Sequence, residues 1–202
     1  WARSVWPYWA GAGALFARYA YRVGPVPFDP GYTGWFWHRR QFVLAAISAL
    51  PAKSVVLLHA CCHNPTGVDL SRAQWEQLIP VLKQRELLPY LDLAYQGYGD
   101  GIDEDAFAVR ALASSGLSFF IANSFSKSMS VYGERAGALS VVCANAAEAQ
   151  LVLGQMQATV RRNYSSPGIH AAGIVSRVLT DPALRASWEA DVAGMRTRIQ
   201  AM

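Results

Sequence analysis

A three-layer α/β domain, with a mostly parallel sheet flanked by helices, is the fold this sequence predicts. Three observations lead there. From residue 53 onward, apolar runs of strand length alternate with stretches of helical period. The first run, Lys53 to Ala60, is rich in apolar and β-branched residues, as in a strand buried on both faces. The resulting β-α-β-α-β order implies parallel strands joined by right-handed crossovers.

Each element has its own signal. After the first strand, Ser71 and Gln74 have the spacing of a capping box, and Trp75, Leu78, Ile79 and Leu82 fall on one helical face. Pro80 should bend that helix. Pro89 to Ala94 is the second strand, and a helix over Ala106 to Ser115 follows, stopped by Gly116. Leu117 to Asn123 is the third strand. Ala138 to Cys143 follows too soon for a crossover helix, so it should pair antiparallel or lie elsewhere in the sheet.

Asn145 and Glu148 cap a helix reaching about Arg162, and another occupies roughly Ile169 to Leu179. Asp181-Pro182 starts a long terminal helix faced by Leu184, Trp188, Val192, Met195 and Ile199.

Residues 1–45 form a segment of another kind. They hold five tryptophans, five arginines and the single acid Asp29, without a clean period. Tryptophan with arginine could stack on nucleic acid, but nothing orders them into a face, so no nucleic-acid partner is expected. The organisation read here is therefore an irregular stretch over 1–45, a large domain over 46–180, and a helix over 181–202 that starts toward a further domain. The chain opens on Trp1 and its last helix runs off at Met202, as in a piece of a longer protein.

Composition bounds the function only coarsely. With 202 residues, 52% hydrophobic and 16% charged, the chain can bury a sizeable core. A net charge of +4 spread along the chain singles out no partner class. Cys61, Cys62 and Cys143, an odd number in apolar surroundings, suit a reducing cytoplasm better than a disulfide framework. No run approaches the roughly 18 apolar residues of a membrane span, and no secretory leader is read at the start. Cys61-Cys62-His63 lacks the paired spacing of a metal site, so no metal is expected.

The chemistry lies at the strand ends. His63-Asn64-Pro65-Thr66-Gly67 follows the first strand, Asp92 and Tyr95 the second, Ser124 and Lys127 the third. Ligands of open α/β sheets bind just outside such carboxyl ends. Singly, each has a plain reading. Lys127 is then a loop lysine, Asp92 a cap, Asn64 to Gly67 a turn, Tyr95 a core aromatic, and Arg135 a surface ion-pair former. Together they match the needs of pyridoxal phosphate. That cofactor requires an imine-forming lysine, a carboxylate for the ring nitrogen, donors to the ring oxygen, and hydroxyl and guanidinium ligands for phosphate.

His63-Asn64-Pro65-Thr66-Gly67, Leu91-Asp92-Leu93-Ala94-Tyr95-Gln96-Gly97, Ser124-Phe125-Ser126-Lys127 and Tyr132-Gly133-Glu134-Arg135-Ala136-Gly137 occur in this order. From about Ala49 onward the chain closely resembles the aspartate and aromatic amino acid aminotransferases, fold-type I pyridoxal phosphate enzymes, and leans toward their aromatic branch. The resemblance implies that Lys127 is the Schiff-base lysine and proton shuttle. It makes Asp92 the pyridinium partner, Asn64 and Tyr95 the ring-oxygen ligands, and Ser124 and Arg135 phosphate ligands. Arg161, in Val160-Arg161-Arg162-Asn163-Tyr164, would reach a dicarboxylic substrate across a dimer interface, or simply complement its helix dipole.

Trp6, before Pro7, would stack on the cofactor ring, although Tyr8 and Trp9 replace the family's Asn and His. Gly168 stands where a second proline is common. By the same resemblance, the glycine-rich phosphate loop precedes residue 1 and the arginine for the substrate α-carboxylate follows Met202. The implied activity is transamination of aromatic or dicarboxylic amino acids with 2-oxoglutarate by a cytoplasmic homodimer with shared active sites. The alternatives are an incompetent fragment of such an enzyme, or a related lyase or decarboxylase.

Overall fold

Four strands in the order β1-β2-β3-β4 make the sheet: β1 (Val55–His59), β2 (Leu88–Leu93), β3 (Phe119–Ser124) and β4 (Gly137–Val142). The computed structural model describes residues 40–202, with side chains from Val43 onward. Trp6 therefore lies outside the described residues. The helices are α1 (Arg40–Ser48), α2 (Arg72–Gln84), α3 (Phe107–Ser114), α4 (Ala146–Tyr164), α5 (His170–Thr180) and α6 (Pro182–Gln200).

β1, β2 and β3 run parallel, as the alternation of strands and helices requires. β4 pairs antiparallel with β3, the first of the two arrangements expected from its short connection. In register, Leu58 lies beside Leu91 and Leu91 beside Ile121, and all three are buried. This line faces the core made with Ile47 of α1, with Trp75, Leu78 and Leu82 of α2, and with Ala108 and Leu112 of α3. Trp75, Leu78, Ile79 and Leu82 are the buried residues of α2, the same four that share its sequence-read face. Burying them stabilises the fold by about 1.5–3 kcal/mol each, an upper estimate.

Helix ends follow the sequence closely. Ser71 and Gln74 form a complete capping box, and α2 continues through Pro80 to Gln84. Asn145 accepts from Glu148 N at the start of α4, and Asp181 accepts from Ala183 N and Leu184 N at the start of α6. Each satisfies amides that the first turn leaves without partners.

Two features differ from expectation. β1 is buried on one face only, with Val55 and Leu57 51% and 37% exposed, because the core packs against the Val56 and Leu58 side. α1 had no counterpart in the sequence reading, although Val43, Leu44 and Ile47 pack its inner face against the core. Among the described residues, no helix is long and apolar enough to cross a membrane.

Candidate active site

The parallel register fixes what can meet at the carboxyl end of the sheet. His59 on β1 is the lateral neighbour of Asp92 on β2, and Asp92 that of Ala122 on β3. Parallel strands lie about 4.8 Å apart, so loops leaving these three ends crowd one edge. Each loop is then shaped by its own hydrogen bonds.

After β1, the exposed Asp69 carboxylate accepts from Cys62 N at 2.6 Å and from His63 N at 2.8 Å. That clamp folds residues 62–69 back on themselves and presents Asn64, whose peptide bond to Pro65 is cis. Asn64 N donates to His59 Nδ1 at 3.5 Å, and the His59 and His63 rings lie 4.7 Å apart. His63 Nδ1 pairs with Thr66 Oγ1 at 2.7 Å. Burial, then the neighbouring His59, lowers the His63 pKa from its ordinary value, and Asp69 opposes the shift.

After β2, the chain passes half-buried Tyr95 and enters a loop organised by the buried Asp105. One oxygen of that carboxylate accepts from Gly97 N at 2.7 Å and Gly99 N at 3.0 Å. The other accepts from Asp100 N at 2.9 Å and Gly101 N at 3.5 Å. A buried carboxylate is tolerated when donors surround it. Cys61 and Cys62 place their sulfurs within 4.8 Å of an Asp105 oxygen and of each other. The amides already occupy that carboxylate. A hydrogen bond with Cys62, then burial and the Asp105 charge, push the Cys61 thiol far above its usual range. The trio reads as core rather than as a cation site.

After β3, Ser124 Oγ accepts from Ser126 N at 3.3 Å, and Phe125 N donates to Ala136 O at 3.1 Å. Lys127 then projects its amine over the Tyr95 ring, with Nζ 4.5 Å from the centroid. Arg135 is exposed, in the left-handed region at φ 55°, with its guanidinium donating to Tyr132 O at 3.0 Å. Gly137 follows, where a Cβ would lie 2.8 Å from Asn123 O, so the strand pair needs glycine there. Arg161 is exposed in the last turn of α4, where its guanidinium donates to Ser165 Oγ.

An amine, a carboxylate, an amide, a phenol and a hydroxyl thus stand at three adjacent strand ends, and a guanidinium lies just before β4. The family described as aminotransferase class I and II matches residues 7–202.

The chain belongs to that family.

It is 54% identical to the aromatic-amino-acid aminotransferase of Escherichia coli K12 over 98% of its length, covering 50% of that protein. It is 50% identical to an aspartate aminotransferase of Pseudomonas aeruginosa over 97% of its length and 49% of the other. Among solved structures, an aromatic amino acid aminotransferase from Burkholderia cenocepacia matches 80% of this chain at TM-score 0.79 and 59% identity, with 40% of that chain covered. One from Burkholderia pseudomallei, described as covalently bound to pyridoxal phosphate, matches 81% at TM-score 0.79 and 50% identity, with 41% covered. The chain spans about half the length of the curated relatives it matches.

For this member of the aminotransferase family, the motifs named five strand-end residues, Asn64, Asp92, Tyr95, Ser124 and Lys127, and structure adds their supports. Asp69, Asp105, Tyr98 and Trp188 were not singled out for the site. Asp69 lay in plain view six residues after His63, but nothing local marks which acid will cap a loop. Trp188 was read only as a packing residue of α6, yet its indole N–H donates to Ser128 O at 2.7 Å.

Proposed function

We propose that this chain is the cofactor-binding half of a pyridoxal-phosphate-dependent aminotransferase that exchanges amino groups between aromatic or dicarboxylic amino acids and 2-oxoglutarate. The observation that carries the reading is Lys127 Nζ standing 4.5 Å over the Tyr95 ring, beside the strand end that holds Asp92. Bound there, pyridoxal phosphate supplies a carbonyl that condenses with amines and a ring that accepts electrons.

The donor set fits that group. Lys127 would hold the cofactor's carbonyl covalently, and its amine would be the group that moves the substrate α-proton. Asp92, half-buried at the end of β2, would keep the ring nitrogen protonated. Asn64 and the Tyr95 hydroxyl would donate to the ring oxygen. Ser124 and Arg135 would take the phosphate, the guanidinium as a forked donor. Arg161 reads the distal carboxylate of dicarboxylic substrates from across a homodimer with shared sites. Residues 46–180 are the large domain, and 181–202 lead toward a smaller one in a cytoplasmic enzyme.

The half-length coverage favours a second reading, in which this polypeptide binds cofactor without turning over. One experiment addresses both. The purified chain is mixed with pyridoxal phosphate, reduced with borohydride and mapped by mass spectrometry. Label should appear on Lys127 and vanish in Lys127→Ala; label spread over Lys53 and Lys83 would sink the site assignment. Amino-group exchange by the labelled-competent chain then separates enzyme from incompetent fragment. In an active full-length form, Arg161→Ala should lose affinity for dicarboxylates roughly tenfold or more while aromatic substrates are spared. Equal affinity for dicarboxylates in the parent and Arg161→Ala would remove Arg161 from the substrate site.

A further inference from the structure

A lysine amine sits at the tip of four rotatable bonds, so its place over Tyr95 depends on how firmly its backbone is held. Turn contacts alone hold that loop lightly, through Met129 N on Phe125 O and Ser130 N on Lys127 O, each at 3.1 Å. Two side chains from elsewhere complete the hold. Tyr98 Oη donates to Lys127 O at 3.0 Å, and Trp188 Nε1 donates to Ser128 O at 2.7 Å. Both bonds are partly buried, and the flanking Ser126 and Ser128 are 4% and 7% exposed, so losing a donor here costs more than on an open loop.

We propose that Tyr98 and Trp188 are positioning residues for Lys127, fixing from two sides the backbone from which its amine projects. Deepening the function proposed above, this rests on Lys127 as the covalent site. Trp188 is one of several fasteners on α6. Arg196 donates to Gly97 O at 2.9 Å, and Gln200 donates to Gly99 O at 2.8 Å. Fully buried Val192 lies so close to Gly97 that a Cβ on the glycine would come within 2.6 Å of its Cγ1. Positions 188, 192, 196 and 200 recur every four residues, so one stripe of the helix grips both loops.

Tyr98 closes the circuit, because it belongs to the loop after β2 and bonds the loop after β3. Met195 Sδ lies 3.6 Å from the same hydroxyl. Burial, with Tyr132 nearby, raises the Tyr98 pKa, so the phenol remains a donor through the neutral range. Tyr95 and Lys127 are thereby held to one another by neighbours of each, rather than by their own contact alone.

The test uses Tyr98→Phe and Trp188→Phe, which keep a ring and remove a donor, with Thr197→Val as a control. Thr197 bonds Ala193 O within α6. In the cofactor-free chain, amide hydrogen exchange at Met129 and Ser130 should quicken roughly threefold to tenfold in the first two variants, with β1–β3 unchanged and the control silent. With pyridoxal phosphate bound, the pH midpoint of the visible band should shift in the same two variants.

Unchanged exchange at the loop in both overturns the proposal, whatever the cofactor does. Protection lost throughout the sheet also overturns it, marking the donors as ordinary core contacts. Faster loop exchange in variants of a parent that takes no label on Lys127 supports the backbone hold and sinks the cofactor reading instead. Should Trp188→Phe not fold, Tyr98→Phe decides.

Discussion

His63 shows how a single side chain near the candidate site ties stability to pH. Its pKa is lowered by burial first and by His59 second, with Asp69 pulling the other way. The unfolded chain therefore binds this proton at a higher pH than the folded one. Above the ordinary histidine value of 6.5 both states are neutral and the group contributes nothing. As pH falls through that value the unfolded state gains the proton first, and folded stability declines until the folded histidine also titrates. Thermal unfolding at about pH 7.5 and about pH 5.5 should show a larger acid loss in the parent than in His63→Gln. Equal losses would show that other groups govern the acid limb. At this scale, much of the site was legible. Asn64, Asp92, Tyr95 and Lys127 are separated in sequence but share one strand-end logic, whereas Arg161 carries no such signal, and its role rests on resemblance.

Helices and strands were legible where a period and a cap coincided. Ser71, Asn145 and Asp181 each start a helix as their spacing to the next polar or proline residue implied. Ser71→Ala should cost about 1 kcal/mol, read as a lower urea midpoint at unchanged slope, because it removes one half of the capping box. A midpoint equal to the parent's would mean that the packed face of α2 alone sets its first turn. What was missed has physical causes. α1 is only nine residues long and lies beside a tryptophan-rich stretch without a period, so its spacing of Val43, Leu44 and Ile47 had little to stand against. The exposure of Val55 and Leu57 reflects which face other elements cover, and no local pattern encodes that.

At the scale of the described residues, several apolar side chains stand uncovered. α4 buries none of its 19 residues, and apolar side chains stand exposed on β4 and beyond, with Leu139 at 51%, Leu151 at 74% and Ile169 at 84%. Large apolar exposure of this kind marks surfaces that other protein covers. In sedimentation the mass should rise with concentration above that of one chain, and Leu151→Glu with Ile169→Glu should return it toward a single chain. Exposed sites tolerate such changes within about 0.5 kcal/mol, so the melting temperature should hardly move. A single-chain mass at all concentrations would refute the expectation.

The grip of α6 on the two loops also sets an order of events in time. Its donors lie 60 residues beyond Ser128, 99 beyond Gly97 and 101 beyond Gly99. Contacts of such span close late, since the loop entropy must be overcome before they add stability. A chain made from its amino end can pair β1, β2 and β3 before α6 exists. The sheet is then old when the lysine loop takes its final shape, under the grip of a helix that emerges only after all four strands.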